Sequence, residues 1–448
     1  MKKKLFGTDG IRGEANRYPI TADVALLVGQ AVARVLGTAR FRRGRAVLGK
    51  DTRISGYMLE HAITSGLLSM GMDVLEVGPM PTPAVAHLTR SMGADCGIMI
   101  TASHNPAGDN GIKIFAADGF KLPDEVELAI EAAITAGGDG VTVDRIGKAY
   151  RLDDARGRYI EFAKGSIGNH ALRGLRVVVD CANGAAHSIA PLILRELGAE
   201  VIESGVAPDG LNINENCGTM HPANIGRLVR EHHADAGIAL DGDADRVIFC
   251  DADGREVNGD RIIGMVALDF KNRGRLAGDT VVVTGMSNLG LHRAMKQHGI
   301  RIEVTDVGDR YVIERMREGG FNVGGEQSGH IIFMDYATTG DGLISALHVL
   351  QLMVRTGKTL AELAAFMDVF PQEIRSLPVA RKIPLAQLEA LPAAIEACHA
   401  ELGESGRTIV RYSGTENKIR ILVEAEEQLR VNHWIDTLCT TASRELNG

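Results

Sequence analysis

Asp95–Pro106 reads DCGIMITASHNP, Asp235–Arg246 reads DAGIALDGDADR, and Phe321–His330 reads FNVGGEQSGH. Each is a short apolar run that ends in a polar loop of unusual composition. Upstream of each lies a second strand opened by glycine: GMDVLEVG from Gly71, GAEVIESG from Gly198 and GIRIEVTDVG from Gly299. Further upstream lies a first strand followed by a polar turn: RAVLGKDTR from Arg45, LRVVVDCANG from Leu175 and DTVVVTGMSN from Asp279. A helix-like stretch separates the members of each set. Alternation of strand and helix predicts α/β units with largely parallel sheets. Any two α/β units look alike, but three in one order, each with its special loop in the same place, point to internal repeats.

The repeats set the expected domain limits. The first unit covers 1–150, the second 151–254 and the third 255–370. From about Pro371 the pattern changes. GRTIVRYSGTENKIRILVEAE reads as a strand, a small polar loop and an alternating strand through Ile419, Ile421 and Val423. Residues 371–448 are too short for a fourth copy. The fold class is therefore three related mixed α/β domains plus a smaller α+β C-terminal domain. Ligands of open α/β sheets sit beyond the carboxyl ends of the strands, which is where the three special loops fall. If the units face one another, the loops meet in one cleft.

Composition excludes several classes. The chain has 448 residues, 45% apolar and 24% charged, with a formal net charge of -8. That size holds roughly three or four domains of ~100–150 residues. An acidic balance argues against a general nucleic-acid binder, but leaves room for local cationic pockets. Six scattered cysteines form no CxxC pair, so neither a zinc cage nor a disulfide framework is expected, and a reducing cytoplasm fits. MKKKLFGTDG starts basic without a following apolar segment, and no run of ~18 apolar residues occurs. Neither a secretory signal nor a membrane span is expected.

In the first loop, TASHNPAGDNGIK, Ser103 sits among small and turn-forming residues, with Lys113 ten positions on. No GxSxG elbow surrounds it, which disfavours acyl transfer. A serine that carries phosphate needs exposure and nearby cations, but no elbow. In the second loop, DGDADR, Asp241, Asp243 and Asp245 alternate, so in an extended stretch they point the same way. Three such carboxylates repel unless a hard divalent cation lies between them. EF-hand spacing fails, because Arg246 and Ala252 stand where that loop needs glycine and glutamate. A phosphoserine brings about -1.5 to -2 and three aspartates ~-3, while one Mg²⁺ returns ~+2. The remaining excess, near ~-3, calls for Arg246, Lys113 and Arg12 of FGTDGIRG. The glycines of that last motif also let backbone amides approach an anion.

In the third loop, Glu326 and Ser328 suit sugar hydroxyls, and His330 can exchange protons near neutrality. Gly308 and Arg310 of DVGDRY place another cation nearby. In the tail, RYSGTENKIR offers Arg411, Ser413, Gly414, Thr415 and Arg420, a set that suits a phosphate dianion.

FGTDGIRG, TASHNP, DGDADR, GEQSGH and RYSGTEN, in this order from residue 5 to about 425, resemble the α-D-phosphohexomutases. The resemblance implies four domains around one deep cleft, the last a mobile phosphate-binding domain. It implies a phosphoserine at Ser103, and one Mg²⁺ per chain at Asp241, Asp243 and Asp245 with Ser103. Glu326 and Ser328 would contact the sugar, while Arg411, Ser413, Thr415 and Arg420 would hold the non-reacting phosphate. Lys113, Arg12 and His330 are candidates for proton transfer or charge stabilisation. LFGTDGIRGEAN and GGEQSGH lie nearer the branch acting on glucosamine phosphate than the phosphomannomutase/phosphoglucomutase branch, which typically has methionine at the position of Gln327. One departure is Asn417, where many relatives have proline.

The implied reaction converts glucosamine 6-phosphate to glucosamine 1-phosphate through a 1,6-bisphosphate that also serves as activator. The same mechanism on mannose or glucose phosphate is the alternative. A phosphoserine-dependent phosphatase and a non-catalytic sugar-phosphate binder are rivals of other classes. The expected partner is a small sugar phosphate, with no nucleic acid and no membrane. The oligomer is left open, a homodimer included.

Overall fold

The computed structural model describes residues 3–7, 9–37, 44–136, 145–413 and 417–447. Four sheets follow one another along the chain. The first contains β1 (Ile11–Glu14), β2 (Arg45–Lys50), β3 (Asp73–Pro79), β4 (Cys96–Ile100), β5 (Asp109–Ala116) and β6 (Ala149–Arg151). The second contains β7 (Arg176–Asp180), β8 (Glu200–Ser204), β9 (Ala236–Leu240), β10 (Val247–Asp251) and β11 (Glu256–Val257). The third contains β12 (Thr280–Thr284), β13 (Arg301–Thr305), β14 (Val323–Gly325) and β15 (Ile331–Phe333). The fourth contains β16 (Gln372–Pro378), β17 (Gly406–Tyr412) and β18 (Lys418–Ala425).

The first three sheets share one order. It reads β3-β2-β4-β5 in the first, β8-β7-β9-β10 in the second and β13-β12-β14-β15 in the third. In each, the first repeat strand pairs in parallel with the second and the third. A fourth strand returns antiparallel beside the third. This common topology accounts for the threefold pattern in the sequence. The central strands CGIMI, AGIAL and TVVVT are buried throughout, as expected for parallel strands covered on both faces. The fourth strand of each copy was not legible. It is short in the third copy, IIF, and in the first it opens on polar Asp109 and Asn110. Its presence makes each special loop the turn of an antiparallel pair, at the carboxyl end of the parallel strands.

The fourth sheet is antiparallel in the order β16-β18-β17. The helices Ala390–Leu402 and Gln428–Asn447 cover it through Leu391, Cys398, Trp434, Ile435 and Leu438. The chain gathers into two compact units. One comprises Met1–Met286 with Gly299–Phe366; the other comprises Ser287–His298 with Met367–Gly448. The first three sheets lie in the first unit and the fourth in the second. We propose the division at 150, 254 and 370 as the domain limits, although β6 runs to Arg151 and β11 to Val257. No helix among the described residues is long and apolar enough to cross a membrane.

Candidate active site

Ser103 lies just beyond β4, in the loop that follows Ile100. Its backbone lies in the left-handed region, at φ 52°. A non-glycine residue persists there only when its surroundings over-determine it. Here they do. The Ser103 N–H donates to Thr101 Oγ1 at 2.9 Å. Its carbonyl accepts from Arg53 Nη2 at 3.0 Å and from Asn214 Nδ2 at 2.9 Å. Arg53 is fully buried and spends all five N–H bonds on this neighbourhood. Nε donates to Asp51 at 2.9 Å, Nη2 also to the Asn105 carbonyl at 2.7 Å, and Nη1 to the carbonyls of Pro106 and Asp109. The Ser103 hydroxyl, so held, is buried rather than exposed as the sequence reading expected, and it donates to Asp241 Oδ2 at 2.5 Å.

Asp241, Asp243 and Asp245 are all buried, and one carboxylate oxygen from each lies within 4.8 Å of the others. Gly242 permits this packing, because a Cβ there would stand 2.7 Å from the Ser103 carbonyl oxygen and 2.9 Å from Asn214 Nδ2. Burial, added to the charges of Asp243 and Asp245, pushes the Asp241 carboxyl well above the usual carboxylate range. At Asp245 burial acts in the same sense, but Lys113, His330 and Arg246 outweigh it and hold the carboxyl well below that range. Lys113 Nζ lies 2.9 Å from Oδ2 of both Asp243 and Asp245. The opposite oxygens, Asp243 Oδ1 and Asp245 Oδ1, are buried and accept no hydrogen bond among the described residues. These two buried carboxylate oxygens, that of Asp245 with His330 Nδ1 3.6 Å away, form a hard-oxygen donor set with a serine hydroxyl and a third carboxylate. They fit a divalent cation such as Mg²⁺.

Cations and anions alternate around this cluster. Burial opposes the charge on Lys113, yet Asp243, Asp245 and Asp9 raise its pKa well above that of a free lysine. Arg12 pairs with Asp9, and Asp9 also meets Lys121. Lys121 reaches on to Asp309 at 2.5 Å. His330 lies between Asp245, 3.6 Å from Nδ1, and Asp309, 3.3 Å from Nε2. The Gly340 N–H donates to Nε2 at 3.0 Å, which selects the tautomer with its proton on Nδ1, facing Asp245. Burial favours that neutral ring; the carboxylates of Asp245, Asp309 and Glu326 overcome it and raise the His330 pKa. Arg246 donates its backbone N–H to Asp241 Oδ1 at 3.2 Å, and its Nη1 lies 3.1 Å from His104 Nδ1. Its backbone also bridges to that of His330, so the second and third loops are docked on each other.

The first three loops thus meet within the first unit, with Ser103, Asp241, Asp243, Asp245, Lys113, Arg246 and His330 in one charged cluster and Arg12 on its edge. Gly308 ends the loop before the helix Asp309–Gly319, and Arg310 in that helix is engaged by Glu127 at 2.6 Å, by Asp124 and by the Leu122 carbonyl. Gln327 and Ser328 line a pocket of about 300 Å³ together with Arg246, Glu256 and Asn258. Burial raises the Glu326 carboxyl. Asp9, Lys121, Asp309, Arg53 and Asn214 were not singled out from the sequence. Asp9 and Asp309 sit inside quoted motifs, whereas Lys121 and Asn214 carry no local signal.

In the second unit, Arg411 and Arg420 are direct cross-strand partners on β17 and β18. Lys382 Nζ donates to the Ser413 carbonyl at 2.6 Å. Gly414 and Thr415 lie outside the described residues.

Four family models match in succession. The phosphoglucomutase/phosphomannomutase α/β/α domains I, II and III match residues 3–139, 157–254 and 258–370, and the C-terminal domain matches 373–440. The chain is 50% identical over 450 residues to the phosphoglucosamine mutase of Syntrophotalea carbinolica, covering 100% of this chain and 98% of that one. It is 51% identical over 448 residues to that of Anaeromyxobacter dehalogenans, covering 97% and 98%. Among solved structures, a phosphoglucomutase/phosphomannomutase family protein of Burkholderia thailandensis superposes with a TM-score of 0.80 at 25% identity, covering 98% and 97%. The fold is also that of the N-acetylphosphoglucosamine mutase of Aspergillus fumigatus, solved with GlcNAc-6P and magnesium, at a TM-score of 0.67, 19% identity and coverage of 98% and 96%.

Proposed function

Because the chain belongs to the phosphoglucomutase/phosphomannomutase family and stands with its phosphoglucosamine mutases, we propose that it interconverts glucosamine 6-phosphate and glucosamine 1-phosphate through Ser103. The observation that carries this reading is the Ser103 hydroxyl, held 2.5 Å from Asp241 in a buried cluster of carboxylates and cations. Phosphorylated Ser103 gives its phosphoryl group to O1 of glucosamine 6-phosphate; the P–O bond to Ser103 breaks as the bond to O1 forms. The O1 proton passes to the site, and the Ser103 oxygen is left as the leaving group. The glucosamine 1,6-bisphosphate turns over, the Ser103 oxygen attacks its 6-phosphoryl group, and the P–O6 bond breaks as the bond to Ser103 forms; O6 takes up the proton that O1 released to the site. No phosphate is consumed.

Asp241, Asp243 and Asp245, with Ser103, would hold one Mg²⁺, which when bound neutralises charge on the transferring group. Lys113 keeps its proton at neutral pH and acts as a fixed positive charge, with Arg12 and Arg246 beside it. His330 is the group fit to exchange a proton near neutrality. Glu326, Ser328, Gly308 and Arg310 serve the sugar side, Arg310 by bracing its helix against Glu127. The second unit's Arg411, Ser413, Gly414, Thr415 and Arg420 take the non-reacting phosphate; the cross-strand pairing of Arg411 and Arg420 supports that role. Phosphorylated sugars do not cross membranes unaided, so the enzyme works in the cytoplasm. There its product supplies UDP-N-acetylglucosamine synthesis, and with it peptidoglycan precursors.

The test is ³¹P NMR of the purified protein with Mg²⁺, a catalytic amount of the bisphosphate and glucosamine 6-phosphate. Conversion to the 1-phosphate without free phosphate is expected, with loss of conversion in Ser103→Ala. Stoichiometric release of free phosphate would make the protein a phosphatase. A kcat/KM for glucose or mannose 6-phosphate equal to or above that for glucosamine 6-phosphate would move it to the neighbouring branch.

A further inference from the structure

Thr82 opens the helix Thr82–Ser91, directly after Pro81, and its side chain is fully buried. It lies 161 residues from Asp243 in sequence but grips it at two points. The Thr82 hydroxyl donates to Asp243 Oδ2 at 2.6 Å. The Thr82 backbone N–H donates to the Asp243 carbonyl at 2.9 Å. One residue therefore fixes both the main chain and the carboxylate plane of the middle aspartate. Lys113 Nζ, 2.9 Å away, binds the same Oδ2. Asp243 Oδ1 remains buried without a hydrogen bond among the described residues.

We infer that Thr82 is a positioning residue for the metal: it turns Asp243 so that Oδ2 is consumed by protein donors and Oδ1 is presented to the cation. This rests on the reading of the three aspartates as a metal site. The physics is that of ligand orientation from outside the coordination sphere. A ligating carboxylate that rotates freely must lose that freedom on binding, and groups that orient metal ligands are worth 10–100-fold in affinity. A lysine alone does not fix the plane, because its ammonium is a point charge on a flexible stem. The hydroxyl, on a β-branched side chain at the start of a helix, does.

Mn²⁺ alone serves as the probe. Its binding to the full-length chain, unphosphorylated at Ser103, is read from the free Mn²⁺ signal in electron paramagnetic resonance. Thr82→Val keeps the shape and removes the hydroxyl; Thr82→Ser keeps the hydroxyl and removes a methyl. The expected result is a Kd at least 10-fold weaker in Thr82→Val and within about 3-fold of the unmutated chain in Thr82→Ser. Should the valine variant fail to fold, Thr82→Ala set against Thr82→Ser repeats the comparison with the hydroxyl as the sole difference. Equal affinity with and without the hydroxyl would overturn the inference, as would a serine variant that loses as much as valine. No Mn²⁺ binding by the unmutated chain would strike the metal reading itself, and the inference with it.

Discussion

Lys113 bridges two buried carboxylates, and removing one partner of such a pair leaves charge uncompensated. Loss of a buried partner costs about 3–5 kcal/mol. Lys113→Met should therefore lower the unfolding free energy by roughly that amount when measured by urea titration in EDTA. A cation that binds the folded state alone restores stability by mass action. Millimolar Mg²⁺ should therefore recover a good part of the loss in this variant. Equal stability of Lys113→Met and the unmutated chain in EDTA would show that the ammonium does not balance Asp243 and Asp245. At this scale much of the site was legible. Ser103, the three aspartates, Lys113 and Arg246 carry their chemistry in their side chains and lie in compact motifs. Thr82, Lys121 and Asn214 were not, because each acts through partners more than 100 residues away and nothing local marks them.

Single helices and strands also carry linkage. Asp341 caps the helix Gly342–Thr356, accepting from the Ile344 N–H at 2.9 Å, and Tyr159 donates its hydroxyl to the same carboxyl at 2.9 Å. Burial, with help from the charge of Asp245, raises the Asp341 pKa to about 6. A carboxyl that holds its proton more tightly when folded adds stability at low pH and loses it as pH rises. The loss spans the window from the unfolded value, about 4, to about 6. The rise from about 4 to about 6 amounts to at most about 3 kcal/mol. Asp341→Asn keeps an acceptor for the helix N-terminus and removes the proton. Its stability profile between pH 4 and 6 should be flatter than that of the unmutated chain by up to that amount, as read by denaturant titration at each pH. Identical profiles would put the linkage elsewhere. The strands themselves were read well where they are buried runs, as in β4, β9 and β12. They were missed where a short antiparallel return strand follows directly on a functional loop, because in β10 and β15 the loop's polar residues run straight into a strand of only a few residues.

For the molecule as a whole, the repeated β3-β2-β4-β5 order explains how one chain builds a site from three loops: each copy delivers its loop at the same end of its sheet. The fourth sheet follows a different plan, antiparallel throughout, and carries Arg411 and Arg420 on paired strands. Arg420→Ala removes one member of that pair. Its expected effect is weaker retention of the bisphosphate, seen as free glucosamine 1,6-bisphosphate accumulating per turnover together with a raised KM. No leaked bisphosphate and an unchanged KM would deny Arg420 the phosphate role. The central claim, that Ser103 carries the phosphoryl group, is most directly tested by single-turnover transfer from enzyme labelled with ³²P at Ser103. On mixing with unlabelled glucosamine 6-phosphate, the label should leave the Ser103 peptide for the sugar at a rate no slower than kcat. A label that stays on the protein through many turnovers, or that maps to another residue, would contradict it.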